Sequence, residues 1–120
     1  MKANTDTIRT LTTLGKLKEF IHEHVSVQKD IIPDNDIRKV LRTYNTEVID
    51  AAVYYNNTKE LKYLTPFVIG LIIKQADPEY HNKLIKCDDS LTLFTELYMD
   101  SLMLTEIIIA VEESFKVKII

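Results

Sequence analysis

Asp100-Ser101-Leu102 is the stretch of this 120-residue chain in which residue type and spacing offer chemistry. Leu102, Leu104, Ile107, Ile108, Val111 and Phe115 recur at helical steps, predicting an amphipathic helix with these residues on a broad buried face. Asp100 then falls at the N-cap, and Ser101 in the first helical turn. Unpaired amides and the positive end of the helix dipole favour a phosphate attached at such a position. A serine here is either a cap contributing about 1 kcal/mol or a hydroxyl held out for modification. With Asp100 available as the cap, the second reading is preferred.

Other residues that could carry chemistry fare worse. His22 and His24, in "FIHEHV", are two apart on a predicted helix and diverge, so they cannot share a metal. They read as surface or boundary histidines. "PDND" at 33–36 lacks the glycine and distal glutamate of a calcium loop. Cys87 is the single cysteine, excluding an internal disulfide and a cysteine metal cluster, and its presence unpaired suits a reducing compartment. It reads as a partly buried small residue, and the tyrosines, Tyr54-Tyr55 included, as packing. No nucleophile–base pair, glycine-rich phosphate loop or metal-ligand set is legible, so the expectation is a protein that is not itself an enzyme.

Charge narrows the partners. The net charge is −3, and positions 88–113 carry Asp88, Asp89, Glu96, Asp100, Glu106, Glu112 and Glu113 with no lysine or arginine. Such a stretch disfavours nucleic acid, where affinity rests on neutralising phosphates. It suits a partner with a basic docking surface, the plain alternative being a solvated helix face. The N-terminal "MKANTDTIRTLTTLGKLKEF" has no signal-peptide apolar run, and "LTPFVIGLIIK" is too short to span a bilayer. The expectation is a soluble, cytoplasmic protein.

The elements that must position Ser101 are predicted to be helices, since two glycines and three prolines leave little punctuation for a β-sandwich. Ile8, Leu11, Leu14, Leu17, Ile21 and Val25 mark one helix over about 5–25. Asp34 or Asn35 caps a short helix carrying Ile37, Val40, Leu41 and Tyr44. Another restarts after Asn45 or Thr46, with Val48, Ile49, Ala52 and Val53 on one face. Thr65-Pro66 signals the start of a central helix reaching about Ala76. Asp77-Pro78 opens a further short one. "KCDDSLTLFTELYM" holds too many leucines for a free loop and must lie against the core. The reading is an all-α small helical bundle of four to six helices.

"DSLMLTEIIIAVEESFKVKI", residues 100–119, resembles the second helix of acyl carrier proteins: Asp-Ser-Leu, a glutamate four residues on, and Glu-Glu-x-Phe followed by Phe-x-x-x-Ile. "DDSLTLFTELYMDSL" is similar to that family's long first loop, and 67–83 occupies the place of its first helix. The resemblance covers 61–120 and lacks the family's last helix, with 1–60 as an N-terminal helical extension. It implies that a phosphopantetheinyl transferase, using coenzyme A and magnesium, attaches 4'-phosphopantetheine to Ser101. The arm then carries acyl groups as thioesters for fatty-acid, polyketide or related biosynthesis. Asp100 would present the serine, and Leu102 would anchor the helix start. Glu106, Glu112 and Glu113 would meet basic patches of the transferase and acyl-processing enzymes. Tyr98 stands where the family commonly has glycine. The alternative is an unmodified helical interaction module with a carrier-like fold. In either case residues 1–60 are expected to cover the helix after Ser101, or exposed helix faces to pair in a homodimer.

Overall fold

The computed structural model describes residues 5–119; residues 1–4 and Ile120, the last position of the region expected to resemble a carrier, lie outside the described residues. Seven α-helices are present among them: α1 (Thr5–Arg9), α2 (Leu14–Ser26), α3 (Asp34–Val40), α4 (Thr46–Thr58), α5 (Leu61–Gln75), α6 (His81–Ile85) and α7 (Ser101–Phe115). A 3-10 turn, Pro78–Tyr80, leads into α6. No strand occurs in the described residues, so the molecule is an all-α bundle. Buried side chains from both halves of the sequence form one hydrophobic core. Its centre includes Phe115, edge-on to Tyr55 at 5.7 Å and to Phe67 at 5.5 Å between ring centroids.

The first predicted helix is two. All six of its apolar positions are buried, but the chain leaves the helix between Arg9 and Leu14. Thr13 caps α2, its hydroxyl accepting from Lys16 N at 3.2 Å. The α2 amides of Leu14 and Gly15, which a helix start leaves open, donate to Leu91 O at 2.9 Å and Asp89 O at 3.0 Å. Leu93 N donates to Thr12 O at 2.9 Å, and Thr13 and Thr92 form an isolated antiparallel bridge. The break therefore lets the 86–100 loop dock on the start of α2, satisfying backbone groups that periodicity cannot register.

Two other boundaries also differ from expectation. Neither Asp34 nor Asn35 caps α3; the N-cap position is Pro33, without a side-chain bond. The central helix begins not at Thr65-Pro66 but at Leu61, with Pro66 inside it. A proline there cannot donate to the Lys62 carbonyl and crowds it, at a cost of up to about 3 kcal/mol. What outweighs this is tertiary: Leu64 is fully buried, and Lys18 Nζ donates to Thr65 Oγ1 at 2.9 Å.

The loop packs as its leucines require. Leu91, Leu93, Leu97 and Met99 are buried, and Met99 N donates to Leu93 O at 3.1 Å. α1, α2 and α3 all contact α7, and Gln28 Nε2 donates to Phe115 O at 2.9 Å, so the extension covers the helix that begins at Ser101.

Candidate functional site

The start of α7 is fixed from both sides. Met99 is buried just before it, and Asp100 follows in extended conformation, φ −117° and ψ 177°. Asp100 Oδ1 accepts from Met103 N at 2.8 Å, closing the cap. Ser101 is thus the first helical residue and is half-buried. Its carbonyl accepts from Thr105 Oγ1 at 2.8 Å, while its own hydroxyl makes no hydrogen bond among the described residues. Capping and display are divided between neighbours: Asp100 satisfies the backbone, and Ser101 Oγ is left over. The chain reaches this point through Tyr98, whose φ of 52° is the left-handed conformation that costs a non-glycine residue about 1 kcal/mol. The Tyr98 ring is largely exposed and lies 5.4 Å from that of Tyr80.

Leu102 departs from the expected buried face: it is 68% exposed, whereas Leu104, Ile107, Ile108, Val111 and Phe115 are buried. At about 100° per residue, Leu102 is turned about 200° from Leu104 and opposes the centre of the buried stripe. It does not anchor the helix start; Met99 does. On that outer face it lines up with Glu106 and Glu113, both exposed. Glu112 lies elsewhere, half-buried, with Oε2 accepting from Ile119 N at 2.6 Å.

The remaining acidic residues are also committed within the fold. Asp88 Oδ1 accepts from Ser90 N at 2.9 Å, and Glu96 Oε1 from Thr92 N at 3.0 Å and Thr92 Oγ1 at 2.8 Å. Hydrogen bonds from Ser90 and Thr92 hold these two carboxyls below their ordinary values. Asp89 pairs with Lys18 at 2.7 Å. Three of the seven acids therefore order the loop, and the face open to a partner reduces to Glu106 and Glu113 beside Leu102.

Beside Ser101 an open cavity of about 370 Å³ is lined by Arg9, Phe94, Met99, Asp100 and Ser101. Arg9 comes from the last turn of α1. No spacing in the sequence links it to Ser101, and only the packing of α1 on α7 brings the two together.

No family model, curated protein or solved structure matches the chain.

The site is defined by its own geometry, and the other reactive side chains add nothing to it. Cys87 Sγ lies 3.3 Å from Leu84 O, and burial pushes the thiol above its ordinary value, away from the thiolate a nucleophile needs. His22 Nδ1 shares a 2.7 Å hydrogen bond with Tyr55 Oη, and His24 Nδ1 one of 2.8 Å with Phe20 O. Among the described residues no group of three or more His, Cys, Asp or Glu is placed to hold a metal ion. No helix of the described residues is long and apolar enough to cross a membrane.

Proposed function

We propose that the protein is a carrier whose Ser101 receives 4'-phosphopantetheine, and that it presents acyl groups to enzymes of fatty-acid, polyketide or related biosynthesis in the cytoplasm. The observation that carries this reading is the unpaired, partly exposed hydroxyl of Ser101 at the first position of a helix already capped by Asp100. A cap residue would spend its oxygen on the backbone; Ser101 does not. The left-handed Tyr98 adds support, because it holds the conformation glycine adopts freely, at the position where the resembled family commonly has glycine. The exposed Leu102, Glu106 and Glu113 give a basic enzyme surface an apolar contact and two charges to meet.

The residues present fit such an attachment. In the transfer, Ser101 Oγ attacks the phosphorus of coenzyme A that bears the pantetheine. A new Oγ–P bond forms as the pyrophosphate P–O bond breaks. The electron pair leaves with adenosine 3',5'-bisphosphate, and the serine proton passes to a base of the transferase, which also supplies magnesium. The chain needs no base of its own. Asp100 caps the first turn so that the Ser101 hydroxyl is not needed by the backbone, and Met99 is buried just before it. The attached arm supplies a terminal thiol that carries acyl groups as thioesters. The protein is then a substrate and shuttle, without catalysis of its own.

The test is intact mass after incubation with coenzyme A, magnesium and a promiscuous phosphopantetheinyl transferase. Wild type should gain about a third of a kilodalton, and Ser101→Ala should gain nothing while melting at nearly the same temperature. Asp100→Ala should lose about 1 kcal/mol of stability and be modified more slowly. If wild type and Ser101→Ala both stay folded and neither gains mass, the chain is an unmodified helical interaction module. If both gain it, the attachment lies elsewhere.

A further inference from the structure

We infer that Arg9 is the anion partner of a phosphate carried on Ser101, so that α1 completes the attachment site. The source of that phosphate, a phosphodiester to pantetheine, rests on the carrier reading; the contact itself does not.

Arg9 and Ser101 line the same 370 Å³ cavity, with Phe94 and the buried Met99 as its apolar walls. Arg9 is exposed, and its side chain has no ion pair or hydrogen bond among the described residues. A guanidinium beside a phosphate can offer two parallel N–H donors, which makes arginine better suited to the task than lysine. The plain reading of Arg9 is that it complements the C-terminus of its own helix. That role needs no contact that a phosphate would displace, and the guanidinium has no hydrogen bond or ion pair among the described residues.

The cavity fits the ligand in a second respect. In a phosphopantetheine ester the phosphate is followed by a carbon chain bearing two geminal methyls. A cavity lined by a cation, an aromatic ring and a thioether offers partners for both the charged and the apolar groups of such a ligand. The Asp100 carboxylate also lines the cavity and opposes an anion, but it is turned to Met103 N as the cap. Arg9 offsets that charge. Without Arg9, a phosphate on Ser101 would have only the start of α7 to offset the Asp100 carboxylate.

The experiment places phosphoserine at position 101 by genetic encoding and follows its second ionisation by phosphorus NMR in the full chain. The probe is the serine phosphate itself, which ordinarily titrates near pH 6. With Arg9 present its pKa should fall by roughly half a unit to one unit relative to Arg9→Gln, with Arg9→Lys in between. Asp100 is the same in all three proteins, so the difference reports Arg9. In parallel, the unphosphorylated Arg9→Gln and wild type are compared for modification by coenzyme A and transferase. Equal phosphoserine pKa values in folded wild type and Arg9→Gln overturn the inference. A wild type that takes no mass from coenzyme A while the phosphoserine pKa still depends on Arg9 overturns the carrier reading and leaves the contact standing.

Discussion

The Tyr55 ring is fully buried, edge-on to Phe115, with its hydroxyl bonded to His22. Burial pushes that hydroxyl up to about 12 from an ordinary value of 10.0. A group bound more tightly to its proton in the folded state contributes stability present below the unfolded pKa and lost as pH rises through the folded one. Wild type should therefore weaken between pH 10 and about 12. Tyr55→Phe should be less stable by about 1 kcal/mol at pH 8, having lost one hydrogen bond, and the gap should close at high pH. Urea melts at pH 8 and 11.5 read this directly; parallel losses in the two proteins would refute it. At this scale the sequence was legible where a residue acts on its own backbone. Asp100 caps because an aspartate before an apolar run has nearby amides to accept from. Leu102 departs from the expected face because its step of two to Leu104 turns it about 200° around the axis, off the stripe that the other apolar residues share. Arg9 could not be found at all, since its neighbour Ser101 is set by packing.

Gly70 in α5 faces Val48 of α4, and a Cβ built there would lie 2.8 Å from Val48 Cγ1 and closer still to Cγ2. Alanine favours a helix interior over glycine by about 1 kcal/mol, but overpacking of this kind costs about 1–3 kcal/mol, so the clash wins. Gly70→Ala should destabilise by about 1 kcal/mol net. Val48→Ala in the same chain should recover at least about 0.5 kcal/mol of that loss as a coupling between the two sites, measured by a double-mutant cycle of urea melts. Additive losses would mean that the two helices part freely. Helix existence was readable from period, and the 86–100 loop from its surplus of leucines. Boundaries failed where another element intervenes. The Leu91 and Asp89 carbonyls take the first amides of α2, and buried Leu64 carries α5 one turn ahead of Pro66. Neither event has a local signature.

For the whole molecule, the relevant fact is that residues 5–60 and 61–119 share one core rather than touching across a seam. α1, α2 and α3 contact α7, and Lys116 pairs with Asp36 at 3.8 Å at its far end. A 57–120 fragment should consequently expose Phe115, Phe67 and the buried stripe of α7 to water. Near-ultraviolet circular dichroism and gel filtration should find it aggregated or without fixed tertiary packing; a soluble fragment that unfolds cooperatively would contradict the shared core. Amphipathic stripes in the N-terminal half announced that they needed a surface. Which surface they cover is a property of the fold as a whole, and no single segment carries it.

That arrangement also sets an order of events during synthesis. The faces of α1, α2 and α3 wait for α7, which is translated about 75 residues after α2 ends. At about 5–20 residues per second, the delay is about 4–15 seconds, far longer than the microseconds in which chains of this size collapse. Throughout that interval α2 and α3, which carry Leu17, Ile21, Val25 and Ile37, have only α4 and α5 to pack on. The ribosome thus delivers a sticky half-product before it delivers the lid. For those seconds the core is incomplete on every copy.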